Sequence, residues 1–326
     1  MFGMKHGGGK FGGGRHFRGH RFEDNDRCED RHGAGRHGWR GRHGGRHGFG
    51  GRGAGGNGAP SWPSPSADGK FLVHARASFT QPAEIFRHDL AAKKSAALTH
   101  TNDALLAKIS LAAPEVTTVP GAGGTPVQLW LVKPPGFDPA KKYPLVFWVH
   151  GGPQSAFLDN WSTRWNPQVW AAQGYVVSLA NPRGSTGFGQ KFTDEISRDW
   201  GGKVYKDLMA CLAHLEKQPF IDTTRMAAAG ASYGGYMAAW VAGHTDRFAC
   251  IVNHAGVNDF ITQFGADITS FGFTQVLGGR PWDNPEGMQR NNPTTYARNF
   301  RTPMLIIHGE KDYRVPYANG TALYGI

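Results

Sequence analysis

Hydrophobic patterning changes character three times along the 326 residues. Over residues 1–58 the apolar side chains stand alone (Phe2, Phe11, Phe17, Phe22, Trp39, Phe49) and recur with a period of neither 2 nor 3.6. A segment of this kind cannot bury enough surface to offset chain entropy, so disorder is expected. A Pro/Ser-rich stretch, Ala59–Ser66, reads as a linker that completes an N-terminal unit over 1–66. From Lys70 the pattern becomes strand-like: Phe71–Ala77, Glu84–Leu90 and Ser95–Thr101 are short apolar-alternating runs separated by turn residues. Three such strands make a meander. Because a meander alone is marginal in water, residues 67–112 are expected to be part of something larger.

Beyond Ala112 the pattern switches again. Val127–Val132 alternates, whereas Leu145–Val149, Tyr175–Leu179, Phe248–Val252 and Pro303–Ile307 are continuous apolar runs, as strands buried on both faces require. Between them Val204, Leu208, Leu212 and Leu215 mark one face of a helix over 203–217, and a second helix is expected through Met237–Val241. Strands and helices in alternation predict an α/β domain over 113–326, a mostly parallel sheet with helices on both faces.

Charge divides along the same boundaries. Residues 1–58 hold 21 of the 47 glycines, seven of the 15 histidines, and 12 Lys/Arg against 5 Asp/Glu, including the triplet Arg-His-Gly at 31–33, 36–38, 42–44 and 46–48. Most of the formal net charge of +11 therefore belongs to this tail. Cys28, Cys211 and Cys250 form an odd, sparse set without metal-ligand spacing; the latter two fall in apolar patterns and read as small core residues. No apolar run is long enough to span a membrane and no secretory signal opens the chain, so the expected location is cytoplasmic.

The chemistry concentrates at three points. Gly230-Ala-Ser232-Tyr-Gly234 is a G-x-S-x-G turn between a buried strand and a helix. Glycines are needed there because a Cβ would clash, and the turn lifts the serine Oγ while aiming backbone N–H groups at a developing oxyanion. His150-Gly-Gly-Pro153 follows the strand 145–149, where an N–H of Gly151 or Gly152 can join that of Tyr233 as oxyanion donor. The strand 303–307 ends in His308-Gly-Glu-Lys-Asp312, which puts an acid where this kind of sheet places the carboxylate that orients a catalytic imidazole. Ser232 is thus the expected nucleophile and Asp312 the expected acid.

With these three motifs go Asn181-Pro-Arg-Gly-Ser-Thr-Gly-Phe-Gly189 and Asp199-Trp-Gly201, and the five in this order closely resemble the prolyl oligopeptidase family over residues 115–326, in its acylaminoacyl-peptidase and bacterial dipeptidyl-peptidase branch. The resemblance implies an α/β-hydrolase fold, short peptide substrates, no cofactor and no metal. It makes Ser232 the nucleophile, Asp312 the acid and Tyr233 an oxyanion donor. It likens Arg314 to an arginine that holds a substrate carbonyl in some members, although a solvated loop charge reads equally well. The meander at 67–112 resembles the last blade of the β-propeller that caps such enzymes. In that family the triad histidine follows the acid by a few tens of residues, but only 14 residues follow Asp312 here and none is histidine. The expectation is a C-terminally truncated hydrolase domain without its triad histidine, inactive as written. His150, His254 and His308 emerge at the same sheet edge as Ser232 but read as loop residues, and His214 as a helix residue.

Two readings compete. A carboxylesterase uses the same elbow. A catalytically dead scaffold could instead present residues 1–58 as an Arg/Gly-rich arm for nucleic acid, although a solvated tail is the plainer account. The irregular histidine spacing does not make a zinc site. Oligomeric state is not legible in the sequence.

Overall fold

In the computed structural model, residues 58–267 and 274–326 are described. The Arg-His-Gly triplets, Cys28, the expected disorder of the tail and its possible nucleic-acid role lie outside them.

Two sheets form. The smaller is antiparallel, in the order β1 (Ala59–Pro65), β2 (Phe71–Ser78), β3 (Gln81–Asp89) and β4 (Lys94–Ala97). The Pro/Ser segment expected to be a linker is therefore a strand. Its prolines are tolerated because β1 is an outer strand whose pairing with β2 shifts register between Ser61 and Ser64, so the missing N–H groups interrupt no ladder on the far side. Glu84 anchors this sheet to the next segment: its carboxylate accepts from Thr99 Oγ1 and from Asn102 N and Nδ2, the latter two at 3.1 Å. These bonds hold the carboxyl down at about 2.

The larger sheet has seven strands in the order β11-β10-β9-β7-β8-β6-β5. They are β5 (Glu115–Pro120), β6 (Pro126–Val132), β7 (Tyr143–Val149), β8 (Val176–Asn181), β9 (Ile221–Ala231), β10 (Cys250–His254) and β11 (Met304–Ile307). The run β11-β10-β9-β7-β8 is parallel, whereas β6 pairs antiparallel with β8 and β5 with β6. Strand β5 had no sequence signal, because it is an outer strand with only Val119 buried.

Alternation along β7 shows how the sheet divides its core. Leu145, Phe147 and Val149 face one layer with the helices Lys203–Glu216 and Tyr233–Ala242, while Val146 and Trp148 face the other with Trp130, Val177 and Leu179. Val204, Leu208, Leu212 and Leu215 form the buried face of the first helix, as their spacing predicts, and Cys211 joins them. Cys250 does not behave as a core residue: it opens β10 and is exposed. Phe79, in the turn between β2 and β3, plugs into the second layer edge-on to Trp130, so the small sheet seals one end of the large sheet's core. No helix among the described residues is long and apolar enough to cross a membrane.

The chain leaves β7 to pair β8 on one side, then crosses back to place β9 on the other. Loops after β7 and β9 therefore diverge and leave a crevice at their carboxyl ends, where open α/β sheets bind ligands.

Candidate active site

Ser232 sits in that crevice, between β9 and the helix Tyr233–Ala242, with φ 58° and ψ −119°. For a residue with a Cβ this is strained, by roughly 1–3 kcal/mol, and it persists because neighbours fix both sides of the peptide. Ser232 N donates to His254 O at 3.1 Å, and Ser232 O accepts from Tyr236 N at 2.9 Å. A Cβ on Gly230 would overlap the Gly234 carbonyl, and one on Gly234 would overlap the Val149 carbonyl. The two flanking glycines are thus steric requirements of the turn.

Tyr233 begins the helix, so its N–H has no intrahelical partner. Among the described residues it donates to nothing, and neither do the N–H groups of Gly151 and Gly152. A Cβ on Gly151 would lie 3.4 Å from Ser232 Cβ, which shows how closely the β7 loop passes the serine. The Tyr233 side chain is directed away: its hydroxyl donates to Trp200 O at 2.7 Å, and burial raises its pKa well above the usual phenol value. Three backbone N–H groups without an acceptor among the described residues thus lie in the segments that flank the serine.

The glycine-rich segment after β8 holds the loop that follows β7. Asn181 Oδ1 accepts from Phe157 N at 2.7 Å, and its Nδ2 donates to Phe157 O at 2.9 Å. Ser185 Oγ bonds His150 Nε2 at 2.9 Å, while His150 Nδ1 bonds Gly151 O at 2.7 Å. Burial lowers the His150 pKa, only partly opposed by the bond to Gly151. Arg183 reaches the buried Asp207 and Glu195 and donates to Ala122 O and Thr125 Oγ1, both at 2.6 Å. These residues are scaffold; they keep the crevice wall in place.

Asp312 lies in the loop after β11. Its Oδ1 accepts from Arg314 N at 3.0 Å and Val315 N at 2.9 Å, which fixes the turn, and its Oδ2 lies 3.9 Å from His308 Nε2. That nitrogen is engaged by Val315 O at 2.8 Å, which leaves Oδ2 with acceptor capacity for a further donor. Arg314 Nε donates to Asp267 Oδ1 at 2.9 Å in an ion pair at the surface, where both side chains remain exposed. Gln263 Nε2 donates to Arg314 O at 2.8 Å.

None of the expected loop histidines serves Ser232 Oγ, which has no hydrogen bond among the described residues. His150 is bonded through both nitrogens, and His308 through Nε2. His254 tilts against Trp165 with ring centroids 5.0 Å apart. Burial lowers its pKa, as do the charges of Arg164 and His308, with Asp312 opposing them. His214 is on the helix Lys203–Glu216, away from the crevice. Among the described residues no group of three or more histidines, cysteines and acids is placed to hold a metal.

A sequence model of the prolyl oligopeptidase family matches residues 161–325, which include Ser232, Tyr233, Asp312 and Arg314. The chain belongs to the prolyl oligopeptidase family. Its large sheet, with helices on both faces, has the α/β-hydrolase fold of that family. A probable dipeptidyl-peptidase 5 of Aspergillus clavatus is 45% identical over 208 residues, covering 62% of this chain and 28% of its own length. Dipeptidyl-peptidase 5 of Schizosaccharomyces pombe is 42% identical over 210 residues, 64% of this chain and 31% of its own. The acylaminoacyl peptidase of Pyrococcus horikoshii superposes with a TM-score of 0.73 at 27% identity, over 78% of this chain and 41% of that structure. The chain thus matches less than a third of the length of the two dipeptidyl-peptidases and less than half of that structure.

Sequence reasoning missed part of what positions this prolyl oligopeptidase site. Asn253 donates to Gly235 O at 2.7 Å and to Asn258 Oδ1 at 2.9 Å, and Asn258 N donates to Asn319 Oδ1 at 3.0 Å. All three asparagines are buried, and the network ties the elbow helix to the segment that follows Asp312. The one available signal was an amide interrupting the apolar run of β10, where an unpaired polar group would be costly.

Proposed function

We propose that this chain carries the nucleophile of a serine peptidase that cleaves short peptides through an acyl-enzyme on Ser232. Asp312 is its imidazole-orienting carboxylate, the N–H groups of Tyr233 and of Gly151 or Gly152 are its oxyanion donors, and Arg314 is a substrate contact. The observation that carries this reading is the strained Ser232 beside backbone donors that have no acceptor among the described residues. Oγ attacks the scissile carbonyl carbon as a base takes its proton; the carbonyl oxygen takes up negative charge facing the donors; collapse then breaks the C–N bond, the same proton passes to the nitrogen, and the amine leaves with the acyl group on Oγ. Arg314, exposed beside Asp267, has donors left for a carbonyl of the acyl portion. The names of the relatives, dipeptidyl-peptidase and acylaminoacyl peptidase, favour peptides over simple esters.

The base is the step that the described residues do not supply, since His150 and His308 are engaged and no imidazole bonds Ser232 Oγ. The 326-residue polypeptide is therefore expected to acylate slowly. A fluorophosphonate should label Ser232 over hours, with loss of the adduct in Ser232→Ala, while turnover of an aminoacyl-nitroanilide stays near background. No label on prolonged exposure would remove Ser232 as nucleophile. Fast turnover that both Ser232→Ala and His254→Ala abolish would overturn the slow-acylation reading and make His254 the base.

A further inference from the structure

Two cavities meet at Ser232. One, of about 220 Å³, is lined by Tyr233, Val257, Val315 and Arg314. The other, of about 380 Å³, shares Ser232 with the first and is lined by Trp148, Phe157, Trp161, Arg164 and Trp165. A peptide crossing the nucleophile puts its acyl residue in one and its leaving residue in the other. The cavity with Arg314 and the oxyanion donor Tyr233 takes the acyl residue, because the carbonyl that these groups would meet belongs to that residue. The aromatic cavity is left for the leaving side.

Its walls are specific in kind. Trp148 packs edge-on to both Phe157 and Trp165, at 6.4 and 5.9 Å between centroids, which makes a rigid aromatic corner. Trp161 is half-buried, yet no aromatic ring packs against it among the described residues. A half-buried indole at a cavity wall, with no aromatic ring already packed on it, suits a flat apolar ring. Arg164 is exposed at the same cavity; its guanidinium lies 5.1 Å from the Trp165 ring centroid, and no carboxylate pairs with it among the described residues. An unpaired guanidinium beside an aromatic pocket favours a planar carboxylate.

We propose that the aromatic cavity binds a C-terminal aromatic residue as the leaving group, its ring against Trp161 and its α-carboxylate on Arg164. This rests on the peptidase reading for the direction of the chain. The orientation follows from the carboxylate. A leaving residue has its nitrogen at Ser232 and its carboxyl group farther out, towards Arg164, whereas an acyl residue has its carboxyl carbon on Ser232. The substrate class is then short peptides ending in phenylalanine, tyrosine or tryptophan.

The test is equilibrium binding to the whole 326-residue chain, read by quenching of tryptophan fluorescence, with L-phenylalanine, phenylalaninamide and glycine as probes. Phenylalanine is expected to saturate, with glycine and the amide each at least tenfold weaker. Arg164→Gln, at an exposed position, should bring acid and amide to within about twofold of one another, and Trp161→Ala should weaken both. Absence of saturation, equal binding of glycine, or an acid preference that survives Arg164→Gln overturns the assignment. Phenylalanine binding with Ser232 unlabelled by fluorophosphonate supports the cavity while removing the peptidase reading; labelling without phenylalanine binding removes the cavity alone.

Discussion

The φ of 58° at Ser232 and the contact of Gly230 with Gly234 are a case in which local sequence and local geometry coincide, since both lie within five consecutive residues, whereas Gly234 is also required by the β7 backbone at Val149. His150 is a case in which they do not. From sequence it is a loop histidine; folded, it is 7% exposed and bonded through both nitrogens. Burial holds its pKa below 6.5, so the unfolded chain binds its proton at a higher pH than the native one. The unfolded state then carries more protons as pH falls, and the contribution of His150 to stability, fully present above about 6.5, is lost as pH drops through that value towards the folded pKa. Urea midpoints measured from about pH 8 to about pH 5 are expected to fall more steeply for the natural chain than for His150→Gln. Equal slopes would mean that His150 does not titrate differently in the two states.

At the scale of elements, continuous apolar runs identified the inner strands because burial on both faces leaves no polar positions to interrupt them. Outer strands lack that constraint. Strand β1 looked like a linker, and β5, with one buried residue, had no apolar signal. Strand β11 shows the reverse mismatch: its sequence is fully apolar, yet among the described residues it is outermost in the sheet, with Leu305 59% and Ile307 44% exposed. An outer strand with free N–H and C=O groups and exposed aliphatic side chains invites edge pairing. The 326-residue polypeptide is expected to self-associate, and Leu305→Lys to shift it towards monomer by light scattering. Unchanged association in that variant would place the contact elsewhere.

For the molecule as a whole, the decisive contact joins two segments 80 residues apart. The Asp159 carboxylate, 8% exposed, accepts from Phe79 N at 2.8 Å and from Gly58 N at 2.9 Å. It thereby pins the small sheet to the loop that walls the aromatic cavity. Asp159→Ala would leave two N–H groups without their acceptor, at a cost on the order of 2–5 kcal/mol. Hydrogen exchange is expected to rise in β1 and in the β2–β3 turn while β9 stays protected; uniform exchange throughout would mean that the two sheets unfold as one unit. The α/β class, the strand-to-helix turn at Ser232, the place of Asp312 after the last strand and the family resemblance were all legible in the sequence, because each is encoded within a few neighbouring residues or in the period of a single element. Folding was needed to make the Pro/Ser segment a strand, to join Asn253, Asn258 and Asn319 in one buried network, and to bring Trp161 and Arg164 into a cavity with Ser232. Those outcomes depend on groups brought together from distant parts of the chain, and no local pattern records which distant partner will satisfy a buried donor or cover an apolar face.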